Sequence, residues 1–283
     1  MSADVRVEEI EYLRHGDTPY LARIFVPRGD GPFPALVEAH GGAWVDGHRA
    51  QNDAINIPLA AAGIVVMALD FRCPPAGTYP ASVQDVNFAI RWLKQNAARF
   101  RTRPDMVGVT GTSSGGHLAV LAAMKPHDAR YAALPLAGGG AIDASVRYAL
   151  TLWPVICPLG RHQDTNATPP GKADAAGNRQ LKYWLTNEAM AEGSPRLALA
   201  RGDQVALPNL LYLQNLADPL HPRHLLEDFV TRYRAVGGTV ELHPVEGTPY
   251  DLVRSKPDSA AAQAARRAMT EFVLRQTAKA ALA

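Results

Sequence analysis

Two cysteines, Cys73 and Cys157, are all that this 283-residue chain contains. They cannot form a disulfide framework, and they lack the paired spacing of a metal-ligand set. A reducing compartment, the cytoplasm, is therefore expected, with no metal site from cysteine. Excess charge of one sign is also missing: 29 Lys and Arg against 27 Asp and Glu leave a net charge of +2. That balance removes the electrostatic basis for a nucleic-acid or anionic-membrane partner. No apolar run reaches the ~20 residues of a spanning helix, so no membrane insertion is expected. The stretch Met1 to Glu11 is charged and has no apolar h-region, so no signal peptide is expected either. No internal repeat is present, and nothing in the sequence sets an oligomeric state. What remains, 47% apolar and 20% charged residues, suits a globular enzyme with a substantial core.

Strand and helix signals alternate along the chain. Leu21–Val26 reads as a strand stopped by Pro27, Ala35–Ala39 as a second, and Gly63–Leu69 as a strand buried on both faces, being β-branched and continuously apolar. Ser82–Ala98 carries Val83, Val86, Ile90 and Leu93 on one stripe and predicts a helix. Val107–Thr110 predicts a short strand and His117–Met124 the helix that leaves it. Leu207–Leu213 and Val240–Leu242 predict later strands, with a helix over Pro222–Val236 between them, ended by Gly237-Gly238. Ala260–Arg275 predicts a last helix, and the Ala-rich tail after Gln276 is expected to fray. The pattern gives an α/β fold, a mostly parallel central sheet flanked by helices, as a single domain over residues 1–283. From about 135 to 193 the rhythm breaks at Trp153-Pro154, a Pro/Gly/Ala-rich run from Thr168 to Gly177, and Tyr183-Trp184. This segment is expected to form a small cap-like insertion near a substrate mouth.

Two glycine-bearing segments carry the chemistry. Gly111-Thr112-Ser113-Ser114-Gly115 has the G-x-S-x-G form of a nucleophile elbow, placed between a short β-run and an Ala/Leu-rich helix as that motif requires. Ser113 is the candidate nucleophile, and Ser114 offers its backbone N–H at a helix start, where negative charge is favoured. His40-Gly41-Gly42-Ala43-Trp44 has the form of an oxyanion loop, with Gly41 and Gly42 as further N–H donors. His40 is expected to hold that loop rather than act as a base. Asp218 follows the strand Leu207–Leu213, at the sheet end where open α/β folds bind ligands, and is the candidate acid. The aromatic residues Trp44, Trp153 and Trp184, with Tyr183, are candidates to line a substrate pocket, a position compatible with aryl esters.

Taken in order, HGGAW, Asp70-Phe71-Arg72, Tyr79-Pro80-Ala81, Asp85 with Arg91-Trp92-Leu93, GTSSGGHLA, Ser194-Pro195, Asp218 and Glu246-Gly247 resemble the serine esterases of the α/β-hydrolase superfamily. The resemblance is to the hormone-sensitive-lipase-like and bacterial feruloyl/acetyl-esterase-like branches. It implies an α/β-hydrolase fold, hydrolysis of small or medium acyl or aryl esters through a Ser–His–Asp triad, and no cofactor. Ser113 and Asp218 fill two of the three roles. The third fails to map: where these families carry Glu-Gly-x-x-His, the chain reads Glu246-Gly247-Thr248-Pro249-Tyr250. A phenol with a reference pKa near ~10 is neutral at pH 7 and a poor proton acceptor.

Three readings of Tyr250 follow. It is an introduced substitution of the catalytic histidine, a natural one in a chain that keeps its pocket only for binding, or a residue wrongly aligned with the family's histidine in this loop. The intact remainder of the apparatus favours the first, and with it very low turnover. Among substitutes, His243 sits in the strand before the loop with Pro244 behind it, and His221 reads as a mere neighbour of the acid loop. His117 reads as structural. Tyrosine as a base would need an S-x-x-K lysine, and Ser113 is followed by Ser-Gly-Gly. Besides an esterase, a non-catalytic small-molecule-binding protein and an acyltransferase or amidase remain open at this level.

Overall fold

Strands β3 (Ala35–Ala39), β4 (Val65–Leu69) and β5 (Val107–Gly111) are buried at every position. Alternate side chains serve opposite faces. Val37, Val65 and Met67 join one core, while Leu36, Val66 and Ala68 join the other, as a period of two requires for a sheet covered on both sides. The computed structural model of the chain describes residues 5–166, 174–216 and 218–281. Among these, β1 (Val5–His15), β2 (Thr18–Pro27), β6 (Tyr148–Leu152), β7 (Asn209–Asn215) and β8 (Val240–Val245) complete one sheet of eight strands in the order β1-β2-β4-β3-β5-β6-β7-β8. β1 and β2 run antiparallel, and every pairing from β4 to β8 is parallel. The predicted α/β architecture stands.

Helices α2 (Ala81–Gln95), α3 (Ser114–Met124) and α8 (Arg223–Ala235) cover one face. On the other lie α1 (Asp53–Ala61), the short α9 (Leu252–Ser255) and α10 (Ala260–Ala281). α3 is buried at every residue. Gly-Gly-His-Leu-Ala-Val-Leu-Ala-Ala-Met is a sequence with scarcely a polar face, which is tolerated only in the centre of a fold.

Four expectations are corrected. β1 and β6 carry no expected strand, yet both belong to the sheet. The helix does not stop near Arg275: α10 runs on to Ala281, with Met269, Phe272, Val273 and Thr277 buried. The Gln276 carbonyl also receives Arg147 Nε at 2.6 Å. α3 begins at Ser114 rather than His117, directly at the elbow.

The segment 135–193 is not one insertion, because β6 lies inside it with all five residues buried. What leaves the sheet comes after β6: α4 (Pro158–Asn166), α5 (Asp174–Trp184), α6 (Asn187–Glu192) and α7 (Pro195–Arg201). Of the Pro/Gly/Ala-rich run Thr168–Gly177, residues 168–173 lie outside the described residues, and Asp174–Gly177 open α5. α6 and α7 start where side-chain caps dictate. Thr186 Oγ1 accepts the Ala189 N–H at 3.1 Å, and Ser194 Oγ that of Leu197 at 3.2 Å, with Pro195 in the first turn.

Candidate active site

Parallel strands point their C-terminal ends at one edge of the sheet, and each site residue hangs from such an end. Gly111 ends β5, and the next residues turn sharply: Ser113 adopts φ 52° and ψ −119° before α3 begins. Such a conformation costs a non-glycine residue about 1–3 kcal/mol and persists only where its surroundings enforce it. Here Ser113 N–H donates to the Leu152 carbonyl at 3.0 Å, and Gly115 N–H to the Thr112 carbonyl at 2.8 Å. Gly115 permits the approach of the neighbouring loop, since a Cβ there would stand 2.1 Å from the Ala39 carbonyl oxygen.

β3 ends at Ala39 and releases the His40–Trp44 loop over the elbow. Gly42 takes φ +121°, and a Cβ on it would lie 1.9 Å from the Asp46 carbonyl oxygen, so only glycine fits. His40 is buried, stacks on Phe71 at 4.1 Å, and donates from Nδ1 to the Gly41 carbonyl at 2.7 Å. Burial pushes its pKa down to about 4, so it stays neutral while holding the loop. Among the described residues no acceptor takes the N–H of Gly41, Gly42 or Ser114.

β7 ends at Asn215, and the loop beyond it brings two side chains to Ser113. Asp218 Oδ2 lies 2.7 Å from Nδ1 of His221, and His221 Nε2 lies 3.3 Å from Ser113 Oγ. The loop is built around the same carboxylate. Its Oδ1 accepts the N–H groups of Leu220 at 2.8 Å and His221 at 3.2 Å, an Asx-type turn, while Gln214 Nε2 donates to Oδ2 at 3.0 Å. A carboxylate only accepts, so Nδ1 carries the imidazole proton and Nε2 turns its lone pair toward Ser113. Burial lowers the His221 pKa first, and the Arg161 charge lowers it further. The hydrogen bond and charge of Asp218 act in the opposite sense without reversing the outcome. A neutral imidazole is thus held against a serine hydroxyl.

His221 therefore stands where the sequence expectation put Tyr250. Tyr250 follows β8, and its ring meets Trp153 edge-on at 6.1 Å and lies 5.7 Å from the His221 ring. No hydrogen bond links Tyr250 to Ser113 among the described residues. Burial and the charges of Asp251 and Asp218 raise its pKa, so it is a neutral wall beside the imidazole. His243 is on β8 opposite Leu213 and lines, with Leu242, Pro244 and Leu226, a cavity of about 210 Å³ bordering Asp218 and His221. It makes no hydrogen bond with Ser113 or Asp218 among the described residues. The sequence did hold a signal for His221: the order Ser, Asp, His is intact, and a turn-forming Asp can reach the side chain three residues on.

The expected pocket aromatics are buried rather than arranged around an open mouth. Trp44 and Trp184 are each 1% exposed and Trp153 is 2% exposed. Trp44 stacks on Tyr183 at 5.7 Å and meets Trp184 edge-on at 5.4 Å, so these residues join the helices after β6 to the His40–Trp44 loop. His117 completes the cluster. Nδ1 accepts the Trp44 indole N–H at 3.1 Å, which leaves Nε2–H to donate to the Gly193 carbonyl at 2.7 Å. Burial pushes the His117 pKa down to about 4. Below the elbow, the buried carboxyl of Glu38 accepts from Asn52 Nδ2 at 2.7 Å, and the same amide reaches Thr112 Oγ1 at 3.1 Å. Burial raises the Glu38 pKa to about 7. The sequence reading passed over this group.

An eight-stranded, mostly parallel sheet with a strained serine between β5 and a buried helix, beneath a glycine loop from β3, has the α/β-hydrolase fold that solved esterase structures share. In sequence the chain is similar to proteins named as esterases or carboxylic ester hydrolases. The BD-FAE family model matches residues 23–147. Esterase LipC of Mycobacterium tuberculosis is 31% identical over 233 residues, 78% of this chain and 54% of that protein. Probable carboxylic ester hydrolase LipM of the same organism is 37% identical over 102 residues, 36% of this chain and 24% of its own length. The chain thus spans about half or less of these relatives. Among solved structures, Thermogutta terrifontis esterase 2 phosphonylated by sarin aligns with a TM-score of 0.78 at 24% identity, over 95% of this chain and 94% of that one. Carboxyl esterase 2 of Tuber melanosporum aligns with a TM-score of 0.77 at 19% identity, over 98% and 88%.

Proposed function

We propose that the chain is a carboxylic-ester hydrolase acting on small or medium acyl or aryl esters, with Ser113 as nucleophile, His221 as general base and Asp218 as the acid that orients it. One observation carries this reading: the unbroken line from Asp218 Oδ2 through the imidazole of His221 to Ser113 Oγ, at 2.7 and 3.3 Å. Ser113 Oγ attacks the ester carbonyl as its proton passes to His221 Nε2. Asp218 stabilises the imidazolium and keeps the ring in the required tautomer. The N–H groups of Gly41, Gly42 and Ser114, with the N-terminus of α3 behind the last, receive the oxyanion. His221 then protonates the leaving alcohol, and water activated by the same histidine releases the acid.

With His221 as base, turnover needs no histidine at position 250, and the binding-only reading loses its motive. Tyr250 serves to pack the ring of His221. The relatives named as esterases support this class of chemistry. Cys73 and Cys157 are free thiols, which suits the cytoplasm, and no helix among the described residues is long and apolar enough to cross a membrane. The test is p-nitrophenyl butyrate hydrolysis by the unaltered chain, Ser113→Ala and His221→Gln. Turnover should be measurable in the first and lost in both variants; an unaltered chain that neither turns over esters nor reacts at Ser113 with a phosphonate would overturn the proposal.

A further inference from the structure

Where α1 begins, beneath the elbow, a local rule is broken. Asn52 immediately precedes that helix, a place where asparagine ordinarily accepts a first-turn backbone N–H with its side-chain oxygen. Here the side chain makes no such cap. Asn52 Oδ1 has no hydrogen-bond partner among the described residues, although Asn52 is buried. An unsatisfied buried acceptor opposes folding. The amide is turned instead so that its N–H groups are used, donating to Glu38 Oε1 at 2.7 Å and to Thr112 Oγ1 at 3.1 Å. The second carboxyl oxygen of Glu38 likewise meets the N–H side of an amide, Asn56 Nδ2 at 3.4 Å. A local concession of this kind is characteristic of functional sites.

Thr112 links this buried group to the chemistry. It directly precedes Ser113, its N–H donates to the Ala39 carbonyl at 3.3 Å, and its carbonyl accepts the Gly115 N–H at 2.8 Å. Its side chain faces the glycine loop: a Cβ on Gly41 would stand 3.2 Å from Thr112 Oγ1 and 3.4 Å from Ser113 Cβ. The Thr112 hydroxyl is thus held by Asn52 while it sets how closely the loop approaches the elbow. β3 through Glu38, α1 through Asn52 and the end of β5 through Thr112 are tied at one point. Donors to an oxyanion act only if they are already in place, and displacing a reacting group by about 1 Å can cost about 100-fold in rate.

We propose that Asn52 is a positioning residue for ester hydrolysis, which fixes the spacing between Ser113 and the glycine loop through the Thr112 hydroxyl. The inference rests on the esterase reading above. The test measures kcat and KM on p-nitrophenyl butyrate for Asn52→Leu, Thr112→Val, Thr112→Ser and the double variant Asn52→Leu/Thr112→Val, with melting curves alongside. Thr112→Val keeps the shape that faces Gly41 and removes the hydroxyl. It should lower kcat about 10- to 100-fold and change KM by less than about two-fold. Asn52→Leu should do the same, and the double variant should lose no more than either single one, because both remove one interaction. Thr112→Ser, which keeps the hydroxyl, should retain most of kcat. Should Asn52→Leu not fold, the valine and serine variants at 112 decide, since they remove and keep the group that Asn52 holds. A Thr112→Val protein with the kcat of the unaltered chain would overturn the proposal, even if it melts lower, which is the mark of a merely structural bond. So would additive losses in the double variant, or a Thr112→Ser protein as slow as Thr112→Val.

If the unaltered chain turns over no ester, the esterase reading falls, and the spacing is read directly from crystal structures of the unaltered chain and Thr112→Val. Ser113 should move relative to Gly41 by about 0.5 Å or more, the tolerance of a preorganised site. An unchanged separation would reject the positioning role.

Discussion

Asp218 and His221 are joined twice: Oδ2 of the aspartate meets Nδ1 of the imidazole at 2.7 Å, and Oδ1 meets the histidine's own backbone N–H at 3.2 Å. One carboxylate thus shapes the turn and orients the ring that the turn carries. Replacing it by an amide should disturb both. In Asp218→Asn, the side-chain NH₂ can satisfy Nδ1 only by forcing the imidazole proton onto Nε2, where it faces Ser113 as a donor. We expect kcat to fall by about a thousand-fold or more with KM little changed. A steady-state comparison on p-nitrophenyl butyrate checks it, and a change confined to KM would count against the orienting role.

Tyr250 and His221 are separated by substitution. Tyr250→Phe keeps the ring against Trp153 and should retain activity within a few-fold, whereas His221→Gln should lose about as much as Ser113→Ala, with no further loss in the double variant, since members of one catalytic unit are not additive. Tyr250→His should not bring a gain of orders of magnitude, because a base is already in place. A gain of that size would reassign the base to position 250.

The pH profile of kcat/KM should report the imidazole. Protonation of Nε2 abolishes its acceptor role, so activity falls as pH drops through the His221 pKa. Burial and then Arg161 lower that value, so the acidic limb should have its midpoint below the ordinary ~6.5. Removing the Arg161 charge should move the limb upward. A midpoint above ~7 in the unaltered chain would contradict this electrostatic account.

Stability should respond to pH with two opposing signs. His40 and His117, whose folded pKa values are about 4, bind protons more weakly folded than unfolded. Their contribution is complete above ~6.5 and is lost as pH falls toward 4, by about 3 kcal/mol each as an upper bound. Glu38, raised to about 7, behaves oppositely: its contribution is complete below ~4.3 and is lost as pH rises through 7. Glu38→Gln should therefore gain melting temperature relative to the unaltered chain as pH is raised from 6 to 9. A difference that stays flat over that range would mean that Glu38 is already ionised at pH 6 in the folded protein and that its pKa is not raised.

Gly42→Ala must place a methyl group 1.9 Å from the Asp46 carbonyl oxygen at φ +121°. The loop has to move, so activity should fall more than a hundred-fold while circular dichroism stays near that of the unaltered chain. Full activity in this variant would remove Gly42 from the oxyanion site.

The sheet was legible where burial on both faces leaves a continuous apolar, β-branched run, as in Ile64 and β4, and where a turn motif pins its neighbours, as at β3 before the glycine loop and at Ser113. β1 escaped because its alternating Val, Arg and Glu resemble a charged terminus, and β6 because five residues between irregular segments carry too little pattern. Asp218 was readable from its place after a strand. The pairing of His221 with it was not, because family spacing pointed to Tyr250, whereas the decisive factor was a three-residue reach within an Asx turn. Glu38 escaped for another reason: a single acidic residue in an apolar strand gives no hint of the two asparagines on α1 and before it that cover it.

Placing acid and base on one turn reduces the number of independent parts that must be kept in register. In an arrangement drawn from two loops, thermal displacement of either one changes both the acid–base and the base–nucleophile separations. Here the Asp218 carboxylate bonds both the ring and the backbone N–H of His221, so the acid–base separation is fixed within the turn itself. On the proposed assignment, the segment after β8 is relieved of proton transfer, and sequence drift there can reshape the surroundings of His221 without extinguishing the chemistry.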